Sequence, residues 1–423
     1  MKTAFIVRET RGHWIRDFAA AVRTAGLRAE LVTEPLDDAE RAELGPLVDG
    51  FVVVEDVRDV SAVAEAIRAR DPGPAGVLTA AEGIIASTAR VAELLGVARC
   101  PASVFTLAHN KFAVRRRLAE AGLPGPRCAL FADPAEAAKI AEEVGLPAIV
   151  KPVNGAASTL VRTVSTVDEL VAAYELLATR LPENPDARYH RPLPGGLDPL
   201  RVFLVEGLLD GPEYAVDVLV RDGVVEPVEI VGKPLVDERK FELVMVSPPF
   251  GMAPERAGLV TQAVADAVRA LGLDNTSAHV EVIDDAVAGP TIVEVNAGRP
   301  VGGATALLLK LRTGVDVFAE TVALGLGTPP PPREPAALPV PVGELILYAS
   351  GTGRLVRIHG LDELEDLPEV FSVITTVSPG QLLSDDHETY AVNAFVAGFA
   401  DADDLAALHA EATKLVRFEL EEA

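Results

Sequence analysis

Short apolar runs alternate with amphipathic stretches along the first hundred residues. Apolar runs at residues 4–7, 29–32, 51–54 and 76–79 have the length of buried strands. Between them, apolar side chains recur at helical spacing, as at Val60, Val63 and Ile67. Repeated strand–helix units predict an open, mostly parallel sheet with helices on both faces. No GxGxxG motif follows the first run, so a Rossmann-type dinucleotide-binding domain is not supported.

Beyond residue 104 the pattern becomes a mixture of helices, hairpins and strands. Capping boxes at Asp133 and Thr166 each predict the start of a helix, and residues 181–199 predict a long loop. Four consecutive prolines within residues 328–342 predict a linker, and a final helix is predicted over residues 403–420. The chain therefore divides into a first domain, a central part and a last domain that follows the linker.

Charge and composition narrow the classes of partner. The 423 residues carry 63 acidic and 38 basic side chains, and a net charge of −25 repels nucleic acid and anionic lipid. Two cysteines are too few for a disulfide framework, and no apolar run has the length of a membrane span or signal peptide. We expect a cytoplasmic protein with small-molecule partners, no nucleic acid and no membrane, and we leave a homodimer open.

Acidic side chains face each other in one predicted hairpin. Strand periodicity places His279 and Glu281 on one face, and Glu294 and Asn296 on one face of the next strand. A symmetric hairpin sets Glu281 opposite Glu294, and a hard divalent cation such as Mg²⁺ would compensate their repulsion. The alternatives are that both carboxylates point to solvent or that Arg299 neutralises one of them. His279 is either a satisfied core histidine or a residue that orients a metal ligand or touches substrate.

Basic residues at the ends of elements indicate an anion site. The chain has only eight lysines, and Lys111, Lys151 and Lys233 stand at helix or strand ends ahead of the acidic hairpin. Lys151 precedes a loop of small residues with Ser158, whose hydroxyl and neighbouring N–H groups suit phosphate. A strand end that reaches for water explains Lys151 equally well. Arg299 either offers a fork to carboxylate or phosphate, or is a surface charge after a glycine turn.

In this order the motifs resemble those of the ATP-grasp superfamily of carboxylate–amine ligases, in particular the L-amino-acid ligases. The resemblance rests on Lys111, Lys151, the segment 205–214 and the acidic hairpin, and it covers residues 1 to about 328. It implies an α/β protein that is α+β in its ATP-grasp part. Its parts would be an N-terminal domain with an open parallel sheet (1–103), a lobe with a phosphate flap (104–206), a lobe with the metal site (207–328), a proline-rich linker (329–341) and a small C-terminal α+β domain (342–423).

The resemblance also implies a role for each motif residue. The residues that would bind ATP are Lys111, Lys151, Ser158, Glu206, Gly207, Leu209, Glu213 and Lys233. Within this set, Glu206 and the main chain after it would contact adenine, and Glu213 would accept the ribose hydroxyls. The residues that would hold two Mg²⁺ ions, or Mn²⁺ in their place, are Glu281, Glu294 and Asn296. Arg299 and Lys233 would be the catalytic residues.

The implied reaction is ATP-dependent carbon–nitrogen ligation. ATP would convert a carboxylate, which we expect to be that of an amino acid, into an acyl phosphate, and an amine would then displace the phosphate. With a second amino acid as the amine, the products would be a dipeptide, ADP and phosphate. One alternative is a D-alanine–D-alanine-type or purine-pathway carboxylate–amine ligase. The other is a non-catalytic protein that binds ATP for regulation.

Overall fold

The structure is a computed structural model that describes residues 2–9, 14–338, 340–385 and 388–422. Its first part is a parallel sheet with the strand order β3-β2-β1-β4. The elements are β1 (Thr3–Val7), α1 (Trp14–Thr24), β2 (Arg28–Thr33), α2 (Asp38–Leu44), β3 (Gly50–Val53), α3 (Val60–Arg70), β4 (Gly76–Leu78) and α4 (Ile85–Leu94). Alternate residues of β1 belong to apolar clusters on opposite faces of the sheet, with Phe5 in one and Ile6 in the other. The predicted open parallel sheet is therefore confirmed.

A smaller antiparallel sheet follows, with the strand order β5-β8-β6-β7. Its elements are α5 (Ala102–Ala108), α6 (Lys111–Glu120), β5 (Cys128–Phe131), α7 (Ala137–Val144), β6 (Ala148–Pro152), β7 (Arg162–Val164), α8 (Val167–Arg180) and β8 (Phe203–Gly207). Val150 packs with Ile140 of α7 and Leu170 of α8 on one face. Because side chains alternate along a strand, Lys151 lies on the opposite face. We call residues 153–161, between β6 and β7, the flap loop.

The central part builds most of an eight-stranded sheet. Its elements are β9 (Glu213–Arg221), β10 (Val224–Val236), β11 (Glu242–Ser247), α9 (Pro254–Leu271), β12 (Thr276–Asp285), β13 (Gly289–Ala297), α10 (Thr305–Thr313) and α11 (Val317–Leu326). Val280 and Val282 of β12 pack against α9 residues such as Val264 on one face of the sheet. His279 and Glu281 consequently lie on the other face, as the strand periodicity predicts.

The last part of the chain extends the same sheet with three strands and forms a small sheet of its own with three others. Its elements are β14 (Val342–Leu347), β15 (Gly353–His359), α12 (Leu361–Glu365), β16 (Val370–Thr375), β17 (Leu382–Leu383), β18 (Val392–Val396), α13 (Ala402–Leu415) and β19 (Arg417–Glu421). The strand order β13-β12-β9-β10-β11-β14-β18-β16 runs across the proline-rich linker, because β14 pairs with β11. A three-stranded sheet, β17-β15-β19, completes this part.

The predicted final helix over residues 403–420 is wrong at its C-terminal end. The helix ends at Leu415, and residues 417–421 form a strand that pairs antiparallel with β15. In that pairing Phe418 lies opposite Ile358 and Leu420 opposite Leu355. Val416, Phe418 and Leu420 alternate with polar residues, which is the period of a strand. The free edge of β15 allows this segment to form a strand instead of continuing the helix.

Glu344 of β14 is a buried acid in this sheet, and its burial predicts how the stability of the protein depends on pH. The residue is 0% exposed, and neither carboxylate oxygen has a hydrogen-bond partner of normal geometry in the described chain, although Thr305 lies beside it. Burial raises the pKa of the Glu344 carboxyl to about 8. Between about pH 4.5 and pH 8 the Glu344 carboxyl is ionised in the unfolded chain and protonated in the folded chain, so its contribution to stability falls by about 1.4 kcal/mol per pH unit.

The Glu344→Gln variant therefore gains stability relative to the wild type as the pH rises from 5 to 8. Its free energy of unfolding from urea denaturation, measured at both pH values, checks this expectation. Glu411→Gln on the exposed face of α13 serves as the control and should show no such pH trend. A wild-type-to-variant difference that is equal at pH 5 and pH 8 would contradict the assignment of a neutral Glu344.

Candidate active site

One large cavity lies between the two antiparallel sheets, the N-terminal domain and the C-terminal part of the chain. Its volume is about 890 Å³, near the upper end of the roughly 300–1,000 Å³ of ligand pockets. Every site residue predicted from the sequence lines it, namely Lys111, Lys151, Ser158, Glu206, Gly207, Leu209, Glu213, Lys233, Glu281, Glu294, Asn296 and Arg299. The cavity has room for more than one small-molecule ligand.

The described part of the chain contains no helix that is long and apolar enough to span a membrane.

The acidic hairpin has the predicted register, with Glu281 directly opposite Glu294. Closer to the turn Asp284 pairs with Pro290, and a bulge at Val293 changes the register before the two glutamates meet. The bulge leaves Glu281, Glu294 and Asn296 all in the wall of the cavity. Without this bulge, Glu281 would lie opposite Val293. The predicted pairing is therefore correct, but it depends on a bulge that the sequence pattern does not predict.

Lysines, and not Arg299, supply the positive charge beside these carboxylates. Lys233 Nζ lies 3.2 Å from Glu281 Oε1, and Lys111 Nζ contacts Glu294 Oε1. The alternative in which Arg299 neutralises one of the pair is therefore wrong. Among the described residues no group of three or more His, Cys, Asp and Glu side chains is arranged to hold a metal. The oxygen donors that the acidic hairpin contributes to the cavity wall are the carboxylates of Glu281 and Glu294 and the amide of Asn296.

Glu206 stands at the centre of a buried charged group under the flap loop. Its carboxylate lies 2.5 Å from Lys151 Nζ and 2.5 Å from Arg115 Nε. Burial alone would raise the pKa of Glu206, but Arg115 and Lys151 outweigh it and lower the pKa to about 2. Arg115 also donates to the main-chain oxygens of Ile292 and Val293, which ties β8 to the acidic hairpin. This group joins the two sheets that form the cavity.

Lys233 is fully buried and contacts three carboxylates. Its Nζ lies 2.8 Å from Glu213 Oε1, 2.6 Å from Glu242 Oε1 and 3.2 Å from Glu281 Oε1. Burial disfavours the ammonium, but the three acids outweigh this cost and hold the pKa of Lys233 well above its usual range. A buried ammonium with this many acidic neighbours remains charged and is fixed in position.

Arg299 is held by an acid of the N-terminal domain. Its Nη2 and Nε lie 2.7 and 3.2 Å from Glu82 Oε2, and Arg188 Nη1 lies 2.8 Å from Glu82 Oε1. Burial works against ionisation of Glu82, but Arg299 and then Arg188 hold its pKa well below the usual range. The predicted surface-charge alternative for Arg299 is wrong, since the guanidinium lies in the cavity wall.

His279 is a buried histidine with a hydrogen-bond partner, as one of its two predicted interpretations requires, and its contact with a metal ligand or substrate stays a prediction. Its Nδ1 lies 2.9 Å from Asp217 Oδ2, and the side chain also lines the cavity. Asp217 Oδ1 accepts a 2.6 Å hydrogen bond from the main-chain N–H of Val301. One buried carboxylate on β9 therefore fixes both the histidine and the segment that carries Arg299.

Sequence reasoning missed several cavity residues, and some of them carry a signal. Arg115 is one helical turn after Lys111, so both side chains project from the same face of α6. Glu82 follows β4 at the carboxyl end of a parallel strand, where ligands are commonly bound in α/β domains. Glu242 and Tyr390, by contrast, have no neighbour in sequence that would mark them.

Two family models match the chain. The model described as "ATP-grasp domain" matches residues 144–306, and the model described as "L-amino acid ligase C-terminal domain 2" matches residues 345–421. Residues 144–306 therefore form an ATP-grasp domain. The first match includes the flap loop and the acidic hairpin, and the second begins within β14. The resemblance inferred from the motifs is thereby confirmed, as is the mixed α/β fold class.

Curated relatives of this ATP-grasp protein match parts of it. "Uncharacterized protein y4rH" of Sinorhizobium fredii is 28% identical over 309 residues, which cover 72% of this chain and 60% of that protein. The D-alanine–D-alanine ligase of Ectopseudomonas mendocina is 29% identical over 199 residues, which cover 45% of this chain and 55% of that enzyme. The chain thus spans little more than half the length of these relatives.

Solved structures share the fold over the whole chain. The L-amino acid ligase from Bacillus licheniformis superposes with a TM-score of 0.78 at 23% identity, covering 100% of this chain and 99% of that one. The biotin carboxylase domain of the Hydrogenobacter thermophilus 2-oxoglutarate carboxylase, solved with MgADP, ADP and bicarbonate, superposes with a TM-score of 0.70 at 18% identity, covering 99% and 91%. That biotin carboxylase domain thus binds an adenine nucleotide together with Mg²⁺.

Proposed function

We propose that this ATP-grasp protein is an ATP-dependent carbon–nitrogen ligase that activates the carboxylate of one amino acid as an acyl phosphate and joins it to the amine of a second. One observation carries the proposal: a single cavity brings together the opposed Glu281 and Glu294, the predicted lysines and Arg299. The match of residues 345–421 to the L-amino acid ligase family favours this branch over D-alanine–D-alanine ligases, whose similarity covers 45% of the chain.

ATP would lie between the two antiparallel sheets. Adenine would contact Glu206 and the main chain of Gly207 and Leu209, at the end of β8. Glu213, at the start of β9, would accept the ribose hydroxyls. Lys111, Lys151 and Lys233 would surround the phosphates, and Ser158 would cover them from the flap loop. The ion pairs that these lysines make with acids hold their ammonium groups in the cavity wall.

The donor set fits Mg²⁺, which prefers carboxylate and amide oxygens and shares substrate phosphates. Glu281, Glu294 and Asn296 would hold two ions, with Mn²⁺ as an alternative. In the structure each of the two glutamates has an ammonium neighbour, which shows that positive charge is stabilised at this position. When bound, the ions would neutralise charge on the triphosphate oxygens.

The chain's own groups then account for both steps. A carboxylate oxygen of the first substrate attacks the terminal phosphorus of ATP, ADP leaves, and Lys233 stabilises the charge on the transferred phosphoryl oxygens. The uncharged amine of the second substrate attacks the carbonyl carbon, phosphate leaves with the electrons of the C–O bond, and the new amide releases a proton. Arg299 offers its guanidinium to the oxyanion in this step. The flap loop excludes water, which would hydrolyse the acyl phosphate.

Phosphate release from ATP and Mg²⁺ tests the proposal across all pairs of L-amino acids, with several D-amino acids and simple amines added. We expect release only with particular pairs, and mass spectrometry should give the mass of the corresponding amide. Release with D-alanine alone would support the D-alanine–D-alanine alternative instead. Tight ATP binding, measured by calorimetry, without release for any pair would support a nucleotide-binding regulator and refute the amino-acid reaction.

A further inference from the structure

Residues from the C-terminal part of the chain form one wall of the cavity. Glu388 and Tyr390, shortly before β18, line the cavity together with the lysines. The Tyr390 ring packs edge-on against Tyr348, with ring centroids 6.0 Å apart. Because β14 pairs with β11, this wall is joined to the catalytic sheet by main-chain hydrogen bonds.

The contacts of this wall converge on Glu242, the first residue of β11. The Tyr390 hydroxyl donates to Glu242 Oε2 at 2.9 Å, and the main-chain N–H of Glu242 donates to Glu388 Oε1 at 2.9 Å. The Tyr348 hydroxyl donates to the main-chain oxygen of Glu242 at 2.8 Å. The remaining carboxylate oxygen, Oε1, lies 2.6 Å from Lys233 Nζ. Glu242 therefore connects the C-terminal wall with the buried lysine.

Glu242 differs from the other two acids around Lys233. Under the proposed function Glu213 turns to the ribose and Glu281 to a metal ion, so both exchange Lys233 for another partner when substrates bind. Glu242 has no such second task, and both of its oxygens are already fixed by protein groups. It is thus the acid that would keep Lys233 in place during phosphoryl transfer.

The same wall also contacts the flap loop. The main-chain N–H of Glu388 donates to Ala157 O at 3.0 Å, and Ser158 Oγ donates to Lys240 O at 3.4 Å, two residues before Glu242. Ala157 and Ser158 have φ angles of 50° and 47°, a left-handed conformation that non-glycine residues adopt only where the surroundings hold it. The wall therefore supports the flap loop as well as Glu242.

We propose that Tyr390 and Glu388 are positioning residues for the ligase reaction, which aim the Lys233 ammonium at the transferred phosphoryl group by fixing Glu242. This inference rests on the proposed function, in which Lys233 contacts the phosphates. It gives the C-terminal part of the chain a role in the chemistry that is exerted through Glu242. Tyr390 contacts Glu242 through its hydroxyl group alone, so a substitution that removes this one oxygen atom tests the inference.

The test is the Tyr390→Phe variant, assayed for phosphate release with the substrate pair that the wild type accepts. A hydrogen bond to a charged group of about 1.5–3 kcal/mol corresponds to a fall in kcat of roughly 10- to 100-fold, with KM for ATP changing less than kcat. Tyr348→Phe is the matched control, because it loses a bond to the main chain of Glu242 and leaves its carboxylate untouched. We expect its kcat to stay within about threefold of the wild type.

A double-mutant cycle with Glu242→Gln separates positioning from mere stability. If Tyr390 acts through Glu242, Tyr390→Phe should have little further effect on kcat in the Glu242→Gln background. Glu388→Gln, which keeps the acceptor oxygen, should restore most of what Glu388→Ala loses. Unchanged kcat in Tyr390→Phe, or equal losses in Tyr390→Phe and Tyr348→Phe, would overturn the inference.

Failure of the proposed function has a different signature. If the wild-type protein binds no ATP, or binds ATP without turnover for any substrate pair, the proposed ligase function is refuted. The contacts of the wall with Glu242 are not called into question by that result. In the second case the cycle is measured on the Kd for a non-hydrolysable ATP analogue with Mg²⁺. The positioning of Lys233 predicts at least a fivefold weaker Kd for Tyr390→Phe than for Tyr348→Phe, and equal Kd values would overturn it.

Discussion

We expect the Glu294→Gln variant to lose phosphate release by roughly 10³-fold while it remains folded. Glu294 lies opposite Glu281, and glutamine keeps its size while removing one of two like charges. The substitution therefore removes the charge repulsion between the two glutamates, which stabilises the folded protein, and removes the ion pair with Lys111, which destabilises it. Under the proposed function, however, the charge that holds the metal ions is lost, and uncompensated phosphate charge raises the barrier to transfer.

Circular dichroism and thermal melting establish that the variant is folded, and a Mg²⁺ titration of activity provides the second measurement. We expect the half-saturating Mg²⁺ concentration of any residual activity to rise at least tenfold, whereas Glu411→Gln on α13 should match the wild type. Full activity at the wild-type Mg²⁺ requirement would remove Glu294 from the metal site.

Much of the fold follows from local patterns in the sequence. The parallel sheet of the first domain is predicted from repeated apolar runs and from the helical spacing between them. Pairing between distant strands is not encoded in such patterns. The edge of β11 accepts β14 across the linker, and the edge of β15 accepts the residues after Leu415, so both results depend on which edges the rest of the fold leaves open.

The candidate site divides in the same way. Strand periodicity and an assumed symmetric hairpin predict that Glu281 lies opposite Glu294, but in the structure this pairing depends on the bulge at Val293. Charge partners that come from another domain cannot be predicted in this way. Glu82 reaches Arg299 and Tyr390 reaches Glu242 only because three parts of the chain close on one cavity. The sequence pattern singles out Lys233, but it does not predict that Glu242 is the acid that holds this lysine in position.

Replacement of Arg299 by lysine should lower kcat by roughly 10²- to 10³-fold and leave the Kd for ATP within about threefold of the wild type. Lysine keeps the positive charge but loses the planar fork that contacts Glu82 and points into the cavity. If Arg299 stabilises the oxyanion of the second step, the acyl phosphate still forms. Substitution should then slow amide formation more than hydrolysis, and the ratio of ADP to amide product should rise above one.

Arg188→Lys is the matched control, because Arg188 contacts the other oxygen of Glu82. Both variants weaken the same ion-pair group, so their losses of thermal stability should be similar. Only Arg299→Lys should change the ratio of ADP to amide. Equal losses of kcat with an unchanged product ratio in both variants would mean that Arg299 acts by holding Glu82, and the oxyanion role would then have to pass to a main-chain N–H in the segment after the acidic hairpin.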